Sequence, residues 1–110
     1  RRINKVITYI QEHFQEEITL SYIAGSLGMS ESAFSHFFKK RTNRSFVDYL
    51  NDIRVGHASK LLYETTHTIA EVCYTSGFNN VSNFNRIFKK KKGQTPSTYR
   101  KNIQKIMIRF

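Results

Sequence analysis

The 110-residue chain, 13.0 kDa and 39 % hydrophobic with nine Phe and six Tyr, has the means to build a core in one compact domain or in two very small ones. Eighteen Lys and Arg against eight Asp and Glu give a net charge of +10, the balance of a nucleic-acid binder more often than of a membrane-surface protein. A lone cysteine, Cys73, excludes an intramolecular disulfide and suits a reducing cytoplasm, and no apolar run approaches the roughly 18–20 residues of a membrane span.

The apolar residues Ile3, Val6, Ile7, Ile10 and Phe14 repeat at helical spacing and predict an opening amphipathic helix. Thr19 caps a short helix carrying Leu20, Ile23, Ala24 and Leu27, which Gly28 ends. Ser30 caps the next, striped by Phe34, Phe37 and Phe38 and expected to stop near Asn43. Phe46, Tyr49, Leu50, Ile53, Ala58, Leu61 and Leu62 then describe one helix from Ser45 to about Glu64. Thr68 caps a short helix with Ile69, Ala70, Val72 and Cys73, broken at Gly77. Asn80 caps a helix with Phe84, Ile87 and Phe88 on its stripe, closed by Gly93. Thr95-Pro96 opens the last, with Pro at the first helical position. Tyr99, Ile103, Ile106, Met107 and Phe110 keep its spacing, although IMIRF also fits a short extended tail. No hairpin signal or strict alternation is present, so the expected class is all-α with about seven helices.

Two stretches of the chain are alike. LSYIAGSLGM (Leu20–Met29) aligns with IAEVCYTSGF (Ile69–Phe78), setting Ala24 over Cys73 and Gly28 over Gly77. After one inserted residue, SESAFSHFFKKRTNRSFVDY (Ser30–Tyr49) aligns with NVSNFNRIFKKKKGQTPSTY (Asn80–Tyr99). Phe34, Phe38, Lys39, Lys40, Asn43 and Tyr49 fall on Phe84, Phe88, Lys89, Lys90, Gly93 and Tyr99. Each copy is a short helix, a Gly turn and a second helix. The small residue four before the Gly allows two helices to cross closely, and the Gly supplies the turn backbone. This is the sequence form of a helix-turn-helix, present twice. The expected organisation is a first subdomain over 1–44, a linker helix over 45–64 and a second subdomain over 65–110.

IAEVCYTSGFNNVSNFNRIFKKKKGQTPSTYR, together with GMSESAFSHFFKK and RVGHASKLL, resembles the DNA-binding domain of the AraC/XylS family of bacterial transcription regulators. The resemblance spans residues 3–103. It implies two helix-turn-helix subdomains bridged by a long helix, with both second helices entering successive major grooves of double-stranded DNA. It implies RNA polymerase as a further partner, and a signal, small molecule or other, sensed by a domain outside this chain. The start at Arg1, without Met and almost at once in a helical pattern, is expected of a fragment of something longer, or of processing.

Helical geometry separates the faces of the second helices without the family. At about 100° per residue, Phe84, Ile87, Phe88 and Lys91 share one side, while Ser82, Asn85, Arg86 and Lys89 share the other. Recognition helices read bases mainly through their first turns, so Ser82, Asn85 and Arg86 are the base-edge candidates, Arg86 suited to guanine and Asn85 to adenine. The resemblance adds Val81 against a thymine methyl. In the first copy the corresponding set is Ser32, Ser35 and His36, small or weakly polar and expected to carry less sequence information. Lys39 and Lys89, with Lys40 and Lys90 beside them, are expected at phosphates, as are backbone N–H groups behind the caps Ser30 and Asn80. Along the lysine run, Lys92 next to Gly93 also suits the helix C-terminus on electrostatic grounds alone.

His13, His57 and His67 have no partner at metal-ligand spacing, Cys73 sits at the close approach and reads as core, and no catalytic constellation is visible; neither cofactor nor enzymatic activity is expected. Two other functions suit a basic helical chain: the DNA-binding portion of a DNA-repair methyltransferase, whose chemistry would lie outside this chain, and a basic helical RNA-binding module. Against the second stands the absence of an exposed aromatic platform.

Overall fold

The protein is described here by a computed structural model covering residues 1–109; Phe110, which the spacing puts on the last apolar stripe, lies outside them. Seven helices follow one another: α1 (Arg2–His13), α2 (Leu20–Ser26), α3 (Glu31–Thr42), α4 (Phe46–Glu64), α5 (Ile69–Thr75), α6 (Val81–Lys92) and α7 (Pro96–Arg109). No strand occurs among the described residues. The last helix takes in Ile106 to Arg109, which settles IMIRF as helical rather than extended as far as Arg109.

The chain divides into two compact units, Arg1–Ile53 and a second beginning at Arg54, so the division falls within α4. In the first unit, Val6 and Ile10 of α1, Ile23 and Ala24 of α2, Phe34 and Phe38 of α3, and Phe46 and Leu50 of α4 form the core. In the second, Val55, Ala58 and Leu62 of α4 meet Val72 and Cys73 of α5, the turn residue Phe78, and Phe84, Ile87 and Phe88 of α6. Four phenylalanines, Phe34, Phe38, Phe84 and Phe88, are fully buried. Each contributes about 1.5–3 kcal/mol by leaving water.

The turn of each helix-turn-helix is closed by the same backbone hydrogen bonds. After α2, the Met29 N–H donates to the Ala24 carbonyl at 2.9 Å and Gly28 N–H to Gly25 at 3.0 Å. After α5, Phe78 N–H donates to Cys73 at 3.1 Å and Gly77 N–H to Tyr74 at 3.2 Å. This is the Schellman arrangement, and it requires a left-handed residue at its corner. Gly28 and Gly77 occupy that corner with φ of 67° and 100°. Ala24 and Cys73, both buried, thus lie at the close approach and also supply the acceptor that ends their helix.

Caps repeat as well. Ser30 and Asn80 accept from the N–H groups of Ala33 and Asn83 at the starts of α3 and α6. Ser45 and Thr95 do the same for Asp48 and Thr98 at the starts of α4 and α7. Asn43 and Gly93 end α3 and α6 in left-handed conformations, with φ of 62° and 80°. Thr68 goes further than spacing alone indicates: its hydroxyl accepts from Glu71 N–H while the Glu71 carboxylate accepts from Thr68 N–H, a reciprocal capping box. Those hydrogen bonds hold the Glu71 carboxyl below its ordinary pKa.

Candidate nucleic-acid interface

In the first unit, burial of Phe34 and Phe38 turns Ser32, Ser35, His36, Lys39 and Lys40 outward, and all five are exposed. In the second, burial of Phe84, Ile87 and Phe88 leaves Ser82, Arg86, Lys89 and Lys90 exposed, with Asn85 half-buried beside them. Val81 is half-buried and packs against the second core, so only part of its side chain is open to a partner. The capping residues Ser30 and Asn80 are exposed too, but their side-chain oxygens already accept helix N–H groups. Any phosphate at these two helix ends would therefore meet backbone N–H groups.

The two faces differ in charge. α6 carries Arg86 and the four lysines 89–92 and no acidic residue. On α3, Lys39, Lys40 and Arg41 fill the last turn, but Glu31 stands in the first. Glu31 complements the positive end of the helix dipole while repelling a phosphate. The lysine run of α6 splits by position. Lys89 and Lys90 are exposed, Lys91 is half-buried, and Lys92 sits at the exposed helix end beside Gly93, where a cation offsets the helix dipole.

Arg86 is held by its own helix. Its Nη2 donates to Asn83 Oδ1 at 2.5 Å, and the Asn83 backbone is fixed in turn by the Asn80 cap at 2.8 Å. The equivalent positions in α3 are Ala33 and His36, which share no such hydrogen bond because Ala33 has no acceptor to offer. Arg41, by contrast, lies over the Phe37 ring at 5.3 Å, a cation–π contact that occupies it within its own helix.

Spacing alone passed over two residues. Arg100 of α7 donates from Nε to the Leu62 carbonyl at 3.2 Å, from Nη1 to His67 at 2.6 Å and from Nη2 to Thr65 at 3.3 Å. It clamps the α4–α5 connection and thereby the start of the second helix-turn-helix. Asn83 is the other, and its signal lay in the sequence as an Asn–Arg pair three residues apart on one helix. Among the described residues no group of three or more His, Cys, Asp and Glu is arranged to hold a metal ion, and no helix is long and apolar enough to cross a membrane. Burial raises the Cys73 thiol pKa, which makes it a poor nucleophile.

A short helix, a left-handed glycine turn and a second helix with a polar, cationic outer face, built twice, define a double helix-turn-helix module. A family described as a helix-turn-helix domain matches residues 23–102, and the chain belongs to this AraC-type helix-turn-helix family. It is 36 % identical over 99 residues to an uncharacterized HTH-type transcriptional regulator of Staphylococcus aureus strain MSSA476; the match covers 90 % of this chain and 13 % of that protein. The chain therefore spans about an eighth of the length of this relative. Among solved structures it is similar to the C-terminal domain of the two-component response regulator yesN from Fusobacterium nucleatum, with TM-score 0.85, 33 % identity and coverage of 88 % and 95 % of the two chains. It is also similar to the DNA-binding domain of the global transcriptional factor AdpA in complex with a target DNA, with TM-score 0.86, 25 % identity and coverage of 91 % and 90 %.

Proposed function

We propose that the chain is the sequence-specific double-stranded DNA-binding part of a bacterial transcription regulator, with α3 and α6 each entering a major groove. The observation that carries this reading is the duplicated helix-turn-helix whose second helices turn Ser32, Ser35 and His36, and Ser82, Asn85 and Arg86, away from their cores. The structural likeness to a DNA-binding domain bound to its target supports it. Arg86 takes guanine, Asn85 takes adenine, and Val81 offers its free surface to a thymine methyl. Lys39, Lys40, Lys89 and Lys90, with backbone N–H groups at Ser30 and Asn80, fix the register on phosphates.

In this reading the chain works in the cytoplasm and does no chemistry of its own. Its output passes to RNA polymerase, and its control comes from a signal sensed elsewhere in the regulator. Selection from random duplexes tests it directly: one enriched motif of about two helical turns, or ~20 base pairs, is expected. Enrichment of no sequence would overturn it.

A further inference from the structure

We infer that Asn83 is a positioning residue for base readout, holding the Arg86 guanidinium in the orientation that discriminates one base pair; this rests on the DNA-binding reading above. Asn83 Oδ1 accepts from Arg86 Nη2 at 2.5 Å, and the Asn83 backbone is fixed by its N–H donating to the Asn80 cap at 2.8 Å. The tether draws the guanidinium toward the N-terminal turn of α6, the end that a recognition helix presents to base edges. A guanidinium has five N–H donors in a fixed fork, and one is spent on Asn83. The remaining four still provide the two parallel donors that guanine O6 and N7 accept.

The internal repeat supplies the contrast. At the same places α3 has Ala33 and His36, a shorter side chain with no acceptor behind it. Two units with the same turn, caps and core thus differ in whether the reading residue is held before it meets DNA. An exposed Arg that is ordered in advance loses less rotamer freedom on binding, and it loses that advantage wherever the base offers no matching acceptors. Asn83 accordingly adds to selectivity at a single base pair rather than to affinity at large.

The experiment uses the highest-affinity duplex selected by the unaltered chain, and variants of that duplex changed one base pair at a time. The pair read by Arg86 is the one at which Arg86→Ala abolishes discrimination. Asn83→Ala should reduce discrimination at that pair by about 3- to 10-fold, the scale of one immobilised side chain. It should leave the other pairs and the unfolding temperature unchanged, and have no effect in an Arg86→Ala background. Asn83→Asp, which keeps the acceptor, should retain discrimination. An equal loss at every pair, the same loss without Arg86, or no loss at all would overturn the assignment. If Arg86→Ala relaxes a base pair and Asn83→Ala does not, the positioning role fails while the DNA-binding reading stands. If no duplex is enriched at the outset, both fail.

Discussion

Tyr99 stands edge-on against Phe88, with ring centroids 5.3 Å apart and planes at 79°, and fifty residues earlier Tyr49 meets Phe38 in the same way at 5.4 Å and 85°. In each unit the helix after the recognition helix thus locks the buried stripe that points the opposite face outward. Phe88→Ala should destabilise the second unit by about 3–5 kcal/mol, a large share of the roughly 5–15 kcal/mol a domain has available. Tyr99→Phe, which keeps the ring, should cost less than about 1 kcal/mol. Urea unfolding followed by circular dichroism checks both.

The turn glycine and the glycine inside α4 should respond to alanine with opposite signs. A Cβ added at Gly28 or at Gly56 meets no atom within 4 Å, so neither change is governed by crowding. Gly28 has a φ of 67°, and Gly28→Ala should cost about 1–2 kcal/mol in backbone strain. Gly56 is itself exposed in the interior of α4, between buried Val55 and half-buried His57, and Gly56→Ala should stabilise by up to about 1 kcal/mol. Thermal unfolding of the two variants decides the matter.

Most of the fold was legible because its determinants are local. Caps such as Thr19 and Ser30, the Gly28 and Gly77 corners, and the Phe34/Phe38 and Phe84/Phe88 stripes each act within one or two turns of helix. The pairing of Ala24 with Gly28 and of Cys73 with Gly77 gained force by occurring twice. Arg100 was not legible, since its acceptors lie 33, 35 and 38 residues away and no local spacing marks them. The outward face of α6 followed from the helical period. The Asn83 tether did not, because the period assigns a direction to a side chain but not a hydrogen-bond partner.

Arg100→Ala should loosen the α4–α5 connection. Three carbonyls lose a charged donor at once, and the net cost is about 2 kcal/mol because part of the cluster faces water and is re-solvated. Arg100→Lys should recover little of it, because an ammonium cannot reach three acceptors as a planar fork does. Amide hydrogen exchange of residues 65–68 should quicken in both variants. Unchanged protection there would contradict the clamp.

Stability should fall in mildly acidic solution because of His57. Its Nδ1 lies 3.1 Å from the Oγ of the buried Ser76, and burial first, then the Lys60 charge, holds its pKa below the ordinary 6.5. The unfolded chain then binds more protons than the folded one in this range. The contribution is complete above about pH 6.5 and is lost as pH falls from there through the lowered folded value. His57→Gln should flatten unfolding free energy between about pH 7 and 5. The depressed Glu71 acts at lower pH, below its ordinary 4.5, and leaves that window clear.

The central claim is that two helix-turn-helix units read duplex sequence through the outer faces of α3 and α6. The most direct measurement is fluorescence-anisotropy titration of the chain with its selected duplex, a scrambled duplex of equal length and a single-stranded RNA, each at two salt concentrations. Binding to the selected duplex should be about 10³-fold tighter than to the scrambled one, and should weaken steeply as salt rises because several phosphates are neutralised. Equal affinity for the scrambled duplex or for the single-stranded RNA would contradict the account.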